Sequence, residues 1–112
     1  MQNATLWSAL LGLEKTVVED IEFVEDEQLL VAHVRPRKRA RSRCGRCGRH
    51  APGYDAGEGR RRWRALDLGT IRAVLEAEAP RVRRPVHGPT VAAVPWARHA
   101  AGHTYAFDEQ VA

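Results

Sequence analysis

Apolar positions in the first 35 residues change period once. Leu6, Trp7, Leu10 and Leu11 follow Asn3 at helical spacing, and Gly12 stands where a helix would stop, which predicts a short amphipathic helix over about 4–11. In VVEDIEFVEDEQLLVAHV the period becomes two: Ile21 and Phe23 alternate with Asp20 and Glu22, EDEQ supplies a polar turn, and LLVAHV resumes an extended apolar run. This predicts a β-hairpin of about 17–24 and 29–35, ended by Pro36, which cannot donate to a continuing ladder.

Residues 36–62 are basic, contain several glycines and are poor in aliphatic side chains, so burial alone cannot order them. Past Arg60 the strand pattern returns. RRWRAL predicts a strand, DLGT a tight turn, and IRAVLEAEAPRVR a second strand with Ile71, Ala73, Leu75 and Ala77 on one face and Pro80 bending or ending it. RRPVHG predicts a further turn, TVAAVPW a short strand, and HTYAFDEQVA the first turns of a helix. The expected fold class is α+β: a helix and hairpin over 1–35, a basic hairpin-containing region over 36–98, and a helix start over 99–112.

With 44% hydrophobic and 29% charged residues, the chain is apolar enough to fold, as one modest domain. No apolar run approaches the roughly 18–20 residues of a membrane span, and MQNATLWSALLGLEK lacks a basic signal region. The expected location is cytoplasmic, with no membrane and no small-molecule substrate as partner.

Charge changes the picture more. Residues 1–34 carry seven acids and one base, Lys15, whereas residues 35–64 carry twelve bases against Asp55 and Glu58. The remaining 48 residues balance at five and five, so the positive field is concentrated in one stretch. Arginine outnumbers lysine there by eleven to one, and its planar fork suits phosphate oxygens. A polyanion is the expected partner, contacted by Arg37, Lys38, Arg39, Arg41, Arg43, Arg46, Arg49, Arg60, Arg61, Arg62 and Arg64. Trp63, inside RRRWR, could stack on a base or pack in the core.

Both cysteines lie in CGRCGRH, as Cys44 and Cys47. A C-x-x-C pair in a chain without an export signal points to metal binding or redox chemistry, and spacing alone does not separate the two. No βαβ pattern surrounds the pair, which disfavours a thioredoxin-like site. In a zinc ribbon, two such turns, or knuckles, each supply two ligands, and a hairpin between them brings the knuckles together. The second knuckle is expected past residue 80, where RRPVHG places His87 as a ligand and Arg84 three residues before it. Arginine cannot coordinate a cation.

The run RRRWRALDLGT, then RVRRPVHG, then VPWARHAAGHTYAFDEQVA, following the C-x-x-C knuckle and the pair Tyr54 and Asp55, resembles the N-terminal zinc-binding region of bacterial insertion-sequence transposases of the ISL-three group. In that family the second knuckle reads C-P-x-H or C-P-x-C, followed by a V-P-W-A segment, a helix-turn-helix and a catalytic domain. The resemblance implies zinc held by Cys44, Cys47 and His87, with a thiolate missing at Arg84. Zinc binding is therefore expected to be weakened or lost, with His50, three residues past Cys47, as the substitute fourth ligand.

The same resemblance implies binding of double-stranded DNA at terminal inverted repeats. Catalysis is not expected of these residues: two-metal phosphoryl transfer needs a trio of acids, and Asp67 and Asp108 stand isolated. A rival expectation is a protein-interaction module, in which the acidic first 34 residues and an exposed Trp96 meet other transposase subunits.

Overall fold

The computed structural model describes residues 4–111. They are mostly β-sheet with two short α-helices. Helix α1 (Ala4–Leu11) leads into strands β1 (Thr16–Val24) and β2 (Leu29–Pro36); β3 (Gly53–Asp55), β4 (Arg60–Leu68), β5 (Ile71–Glu78), β6 (Arg81–Arg84) and β7 (Gly88–Val91) follow, and α2 (Tyr105–Val111) comes last. Gly12 takes a left-handed φ of +66°, and its Cα lies close against Ala106 of α2, a double reason for glycine at the end of α1.

Two hairpins, β1–β2 and β4–β5, join into one four-stranded sheet in the order β1-β2-β5-β4. The joint is a parallel pairing in which Leu30 lies opposite Ala73 and Ala32 opposite Leu75. This puts β2 in the sheet interior, and Leu29 to Val34 are buried except for His33. In β1 a register shift between Val18 and Asp20 interrupts the alternation, so Val18 is buried while Phe23, two positions past Ile21, remains half exposed.

On the inner face Leu30, Ala32 and Val34 of β2 meet Ala73, Leu75 and Ala77 of β5 and Trp63 and Ala65 of β4. Trp63 and Trp96 are both buried, edge to face at 5.3 Å. The exposed Trp96 expected for an interaction surface is thus a core residue: the chain after β7 folds back over the sheet. Backbone bonds hold this return, with Arg64 N–H donating to Gly102 O and Thr104 N–H to Arg64 O, both at 2.8 Å.

Pro80, expected to bend or end the strand over 71–83, divides it into two. The second part, β6, leaves for a second, three-stranded sheet ordered β3-β6-β7. Proline removes a ladder donor there, so the chain changes sheets at the one residue that cannot continue the first.

The outer face of the large sheet carries charge instead of core. Glu22, His33, Glu76, Arg60 and Arg62 form a row across four strands, with Glu76 accepting from Arg60 Nε at 2.9 Å and from Arg62 Nε at 3.0 Å. These two guanidinium groups, Arg60 first, hold the Glu76 carboxyl below its ordinary value of 4.5. A lowered carboxylate pKa stabilises the fold above the unfolded-state value and loses that contribution as pH falls through the folded value. Glu76→Gln should therefore cost about 1 kcal/mol near neutral pH, as expected for one acid in a surface network. In urea titrations the difference from the parent should shrink once the pH drops below 4.5; a difference independent of pH would rule out the ionic account.

Candidate metal centre and nucleic-acid interface

Cys44 and Cys47 sit in a tight turn that the backbone closes twice, with Gly48 N–H donating to Cys44 O and Cys44 N–H to Arg49 O, both at 2.8 Å. Gly48 has a φ of +74°, a left-handed conformation that this turn demands. Cys44 is buried and pairs with Ala92, beyond β7, while Cys47 is exposed. With Ala51, Val82 and Ala92, Cys44 makes a small apolar cluster separate from the main core. This is how a region so poor in aliphatic residues is anchored.

His87 arrives on the turn between β6 and β7, where Arg84 lies opposite Gly88. The Cys44 and Cys47 sulfurs and a His87 ring nitrogen lie within 4.8 Å of one another, and Cys44 Sγ is 3.4 Å from His87 Nδ1. Tetrahedral zinc, with bonds of about 2.0–2.3 Å, separates sulfur from nitrogen by about 3.5 Å and sulfur from sulfur by about 3.8 Å. The spacing fits three vertices of such a site. Arg46 N–H donates to Cys44 Sγ at 3.4 Å, an amide contact of the kind that offsets thiolate charge. Cys47 is held below the ordinary thiol value, chiefly by the backbone N–H of Arg49, with Cys44 and the Arg84 guanidinium acting in the same direction.

His50 is not in this group: it pairs across the turn with Arg43 and is exposed. Three residues past Cys47 is close in sequence, but the turn closed between Cys44 and Arg49 carries His50 away along the ladder. Another histidine is nearer to the knuckle than its sequence position suggests. The His99 ring occupies the space where a Cβ on residue 45 would stand, so Gly45 is needed for this approach. No local pattern around His99 signals it, because the contact joins residues 54 positions apart.

The arginines divide into two sets. On β4, Arg60 and Arg62 are paired with Glu76; Arg64 donates to Asp67 at 2.7 Å and lies over the Phe107 ring; Arg61 donates to the Ala101 carbonyl and stacks on Trp63 at 4.8 Å. These four are spent on the fold. By contrast, among the described residues none of Arg37, Lys38, Arg39, Arg41, Arg43, Arg46 and Arg49 lies within ion-pair distance of a carboxylate. All but Arg43 are exposed, and Arg43 donates to Gly48 O at 3.0 Å, bracing the cysteine turn.

The comparisons agree with this geometry. Residues 40–83 match the family model described as the zinc-finger of transposase IS204/IS1001/IS1096/IS1165. The chain is 62% identical, over an alignment of 117 positions, to the transposase for insertion sequence element IS1557 of Mycobacterium tuberculosis, in strains CDC 1551 / Oshkosh and ATCC 25618 / H37Rv. That alignment covers the whole of this chain and 26% of each relative, so the chain spans about a quarter of the length of the curated relatives it matches. No solved structure matches it. The zinc-finger model covers the cysteine knuckle and ends just before Arg84, and the match to a transposase runs from end to end of this chain, which supports an N-terminal transposase fragment.

Proposed function

We propose that this chain is the DNA-binding zinc-ribbon part of a transposase, which docks on double-stranded DNA at terminal inverted repeats and performs no strand transfer of its own. The observation that carries this reading is the run of seven bases over 37–49 without carboxylate partners, held to a rigid turn by Cys44. Contacts of this kind go to phosphates and set position more than sequence. The β4 arginines, tied to Glu76, Asp67, the Trp63 ring and the Ala101 carbonyl, hold the fold together and leave the knuckle as the contact surface. In this reading the chain works in the cytoplasm; among the described residues no helix is long and apolar enough to cross a membrane.

Binding of a fluorescent duplex, followed by anisotropy over a salt series, tests the proposal. Phosphate contacts by the six exposed bases predict a log–log slope of about −5. Binding insensitive to salt, or none at low salt, would refute it.

Zinc is the second element of the reading. The Cys44, Cys47 and His87 atoms fit a zinc ion, which would tie β6–β7 to the basic turn, and a three-ligand set binds it less tightly than four. Protein purified without chelator should carry zinc, and a content below about a tenth of an equivalent would retire the metal from this account.

A further inference from the structure

Between the two sheets lies a cleft of about 620 Å³, a size that holds one small organic group. Val34 and Ala77 of the large sheet and Val82 of the small one give it apolar walls. Its rim carries charge, most of it already tied: Arg35 pairs with Glu19 at 3.3 Å, Arg60 with Glu76 at 2.9 Å, and Arg81 with Asp55, whose Oδ1 accepts from Nε at 2.9 Å. Arg41, from the basic run, has no carboxylate partner among the described residues. Tyr54 stands on the same rim with 47% of its surface exposed. Its ring is braced: the Arg81 guanidinium lies 5.0 Å over it, and Asp55, which also accepts the Gly57 N–H at 2.8 Å, clamps that guanidinium. An aromatic ring held in place and still half open to solvent is a platform for stacking.

A nucleotide uses these features together. Its base is a flat body that stacks on the tyrosine ring, and its phosphate pairs with the free guanidinium. Glu78, also on the rim and without a cation within ion-pair distance among the described residues, repels a phosphate and accepts from the N–H donors of a base edge. The phosphate therefore goes to Arg41 and the base edge to Glu78. Position favours a DNA strand over a free nucleotide, because Arg41 and Ser42 belong both to the cleft wall and to the basic run proposed to hold duplex. A base inside a duplex has both faces stacked on its neighbours, so only an unpaired one has a face to give to tyrosine.

We propose that the cleft between the sheets takes one unpaired nucleotide of a DNA strand, its base stacked on Tyr54 and its phosphate on Arg41. The chain then recognises an overhanging or frayed DNA end beside the duplex it holds. The inference rests on the DNA-binding reading above and adds a feature of the DNA that phosphate contacts alone do not sense.

Anisotropy at one low salt concentration compares the full chain's affinity for a blunt duplex and for the same duplex with an overhang of about three nucleotides, of either polarity. A fluorescent adenine analogue in the overhang reports stacking through its emission. The parent should bind the overhang duplex at least about tenfold more tightly than the blunt one, with a saturable change in emission. Tyr54→Ala should lose both the preference and the emission change while binding blunt duplex as the parent does, and Tyr54→Phe, which keeps the ring, should keep both. Near-ultraviolet circular dichroism from the Trp63 and Trp96 pair checks that each variant folds, and the parent comparison decides by itself where one does not. Equal affinity of the parent for the two duplexes overturns the proposal, as does a preference that Tyr54→Ala leaves intact, and in both cases the duplex-binding reading survives. A free deoxynucleoside monophosphate that competes as well as the overhang duplex assigns the cleft to a free nucleotide and also overturns it. Binding to neither duplex overturns both readings.

Discussion

Replacing Arg39, Arg41, Arg46 and Arg49 together by alanine should flatten the salt dependence of duplex binding by about 3.6 log units per log unit of salt, at about 0.9 per phosphate contact. At about 0.1 M salt that amounts to a loss of about a thousandfold or more in affinity. The paired change Arg60→Ala with Arg62→Ala should leave the slope within about one unit of the parent, although it removes two charges from the same basic stretch. The contrast follows from Glu76, whose single carboxylate accepts from the Arg60 and Arg62 guanidinium groups at 2.9 and 3.0 Å and offsets about one of their two charges. A guanidinium in a good ion pair has fewer counterions to release and a partner to lose before it can reach a phosphate. If the β4 pair lowered the slope as much as two of the knuckle arginines, the division between a contact surface and a structural row would be wrong. Each arm is a measurement of slope, so a modest change in overall stability does not imitate the result.

Trp63→Ala should be the most damaging single change in the fold. Trp63 is 1% exposed and Trp96 2%, the two packed edge to face at 5.3 Å. Removing a buried tryptophan costs about 3–5 kcal/mol, from lost transfer energy and the cavity left behind. A domain of this size has about 5–15 kcal/mol in all, so the variant should be largely unfolded at 37 °C or have a greatly lowered melting temperature. The loss extends beyond the sheet, because Arg61 stacks on Trp63 and donates to Ala101, which ties the segment before α2 to β4. Urea unfolding followed by tryptophan fluorescence, with Trp63→Phe for comparison, checks this. A cost under about 1 kcal/mol would place the tryptophan pair outside the cooperative core.

The two anchorages explain how so basic a region is ordered. The main core reaches only as far as Ala97, and the stretch from 36 to 59 contributes little to it. Its order comes from Cys44 in the small cluster with Ala51, Val82 and Ala92, from the backbone bonds of the knuckle, and from the Ala93 N–H to Arg43 O bond at 2.8 Å. A metal bridging Cys44, Cys47 and His87 would add a covalent-strength link between the same two pieces. The basic segment is therefore presented by a scaffold that needs few aliphatic side chains, and its surface can be given over to charge.

Much of this could be seen along the chain. Helical spacing from Leu6 to Leu11, alternation around Ile21, and the shared face of Ile71, Ala73, Leu75 and Ala77 are properties of neighbouring residues, and periodicity records them directly. The cysteine knuckle and the place of His87 were likewise visible, since turn chemistry and ligand spacing are local. What spacing could not supply was the parallel joining of the two hairpins, the departure of β6 at Pro80 for a second sheet, the burial of Trp96, and the identity of the arginines left free. Arg60 and Arg39 look alike in the sequence, and they differ because Glu76, sixteen residues beyond Arg60, lies beside it on the next strand. His50 and His99 make the same point in opposite directions: the near one is carried off by its turn, and the far one is brought onto Gly45. Local physics chooses elements and candidate ligands, but pairing between distant segments decides which side chains meet. Ion pairs and metal vertices act over only a few ångströms, so that pairing decides which charges and ligands remain for function.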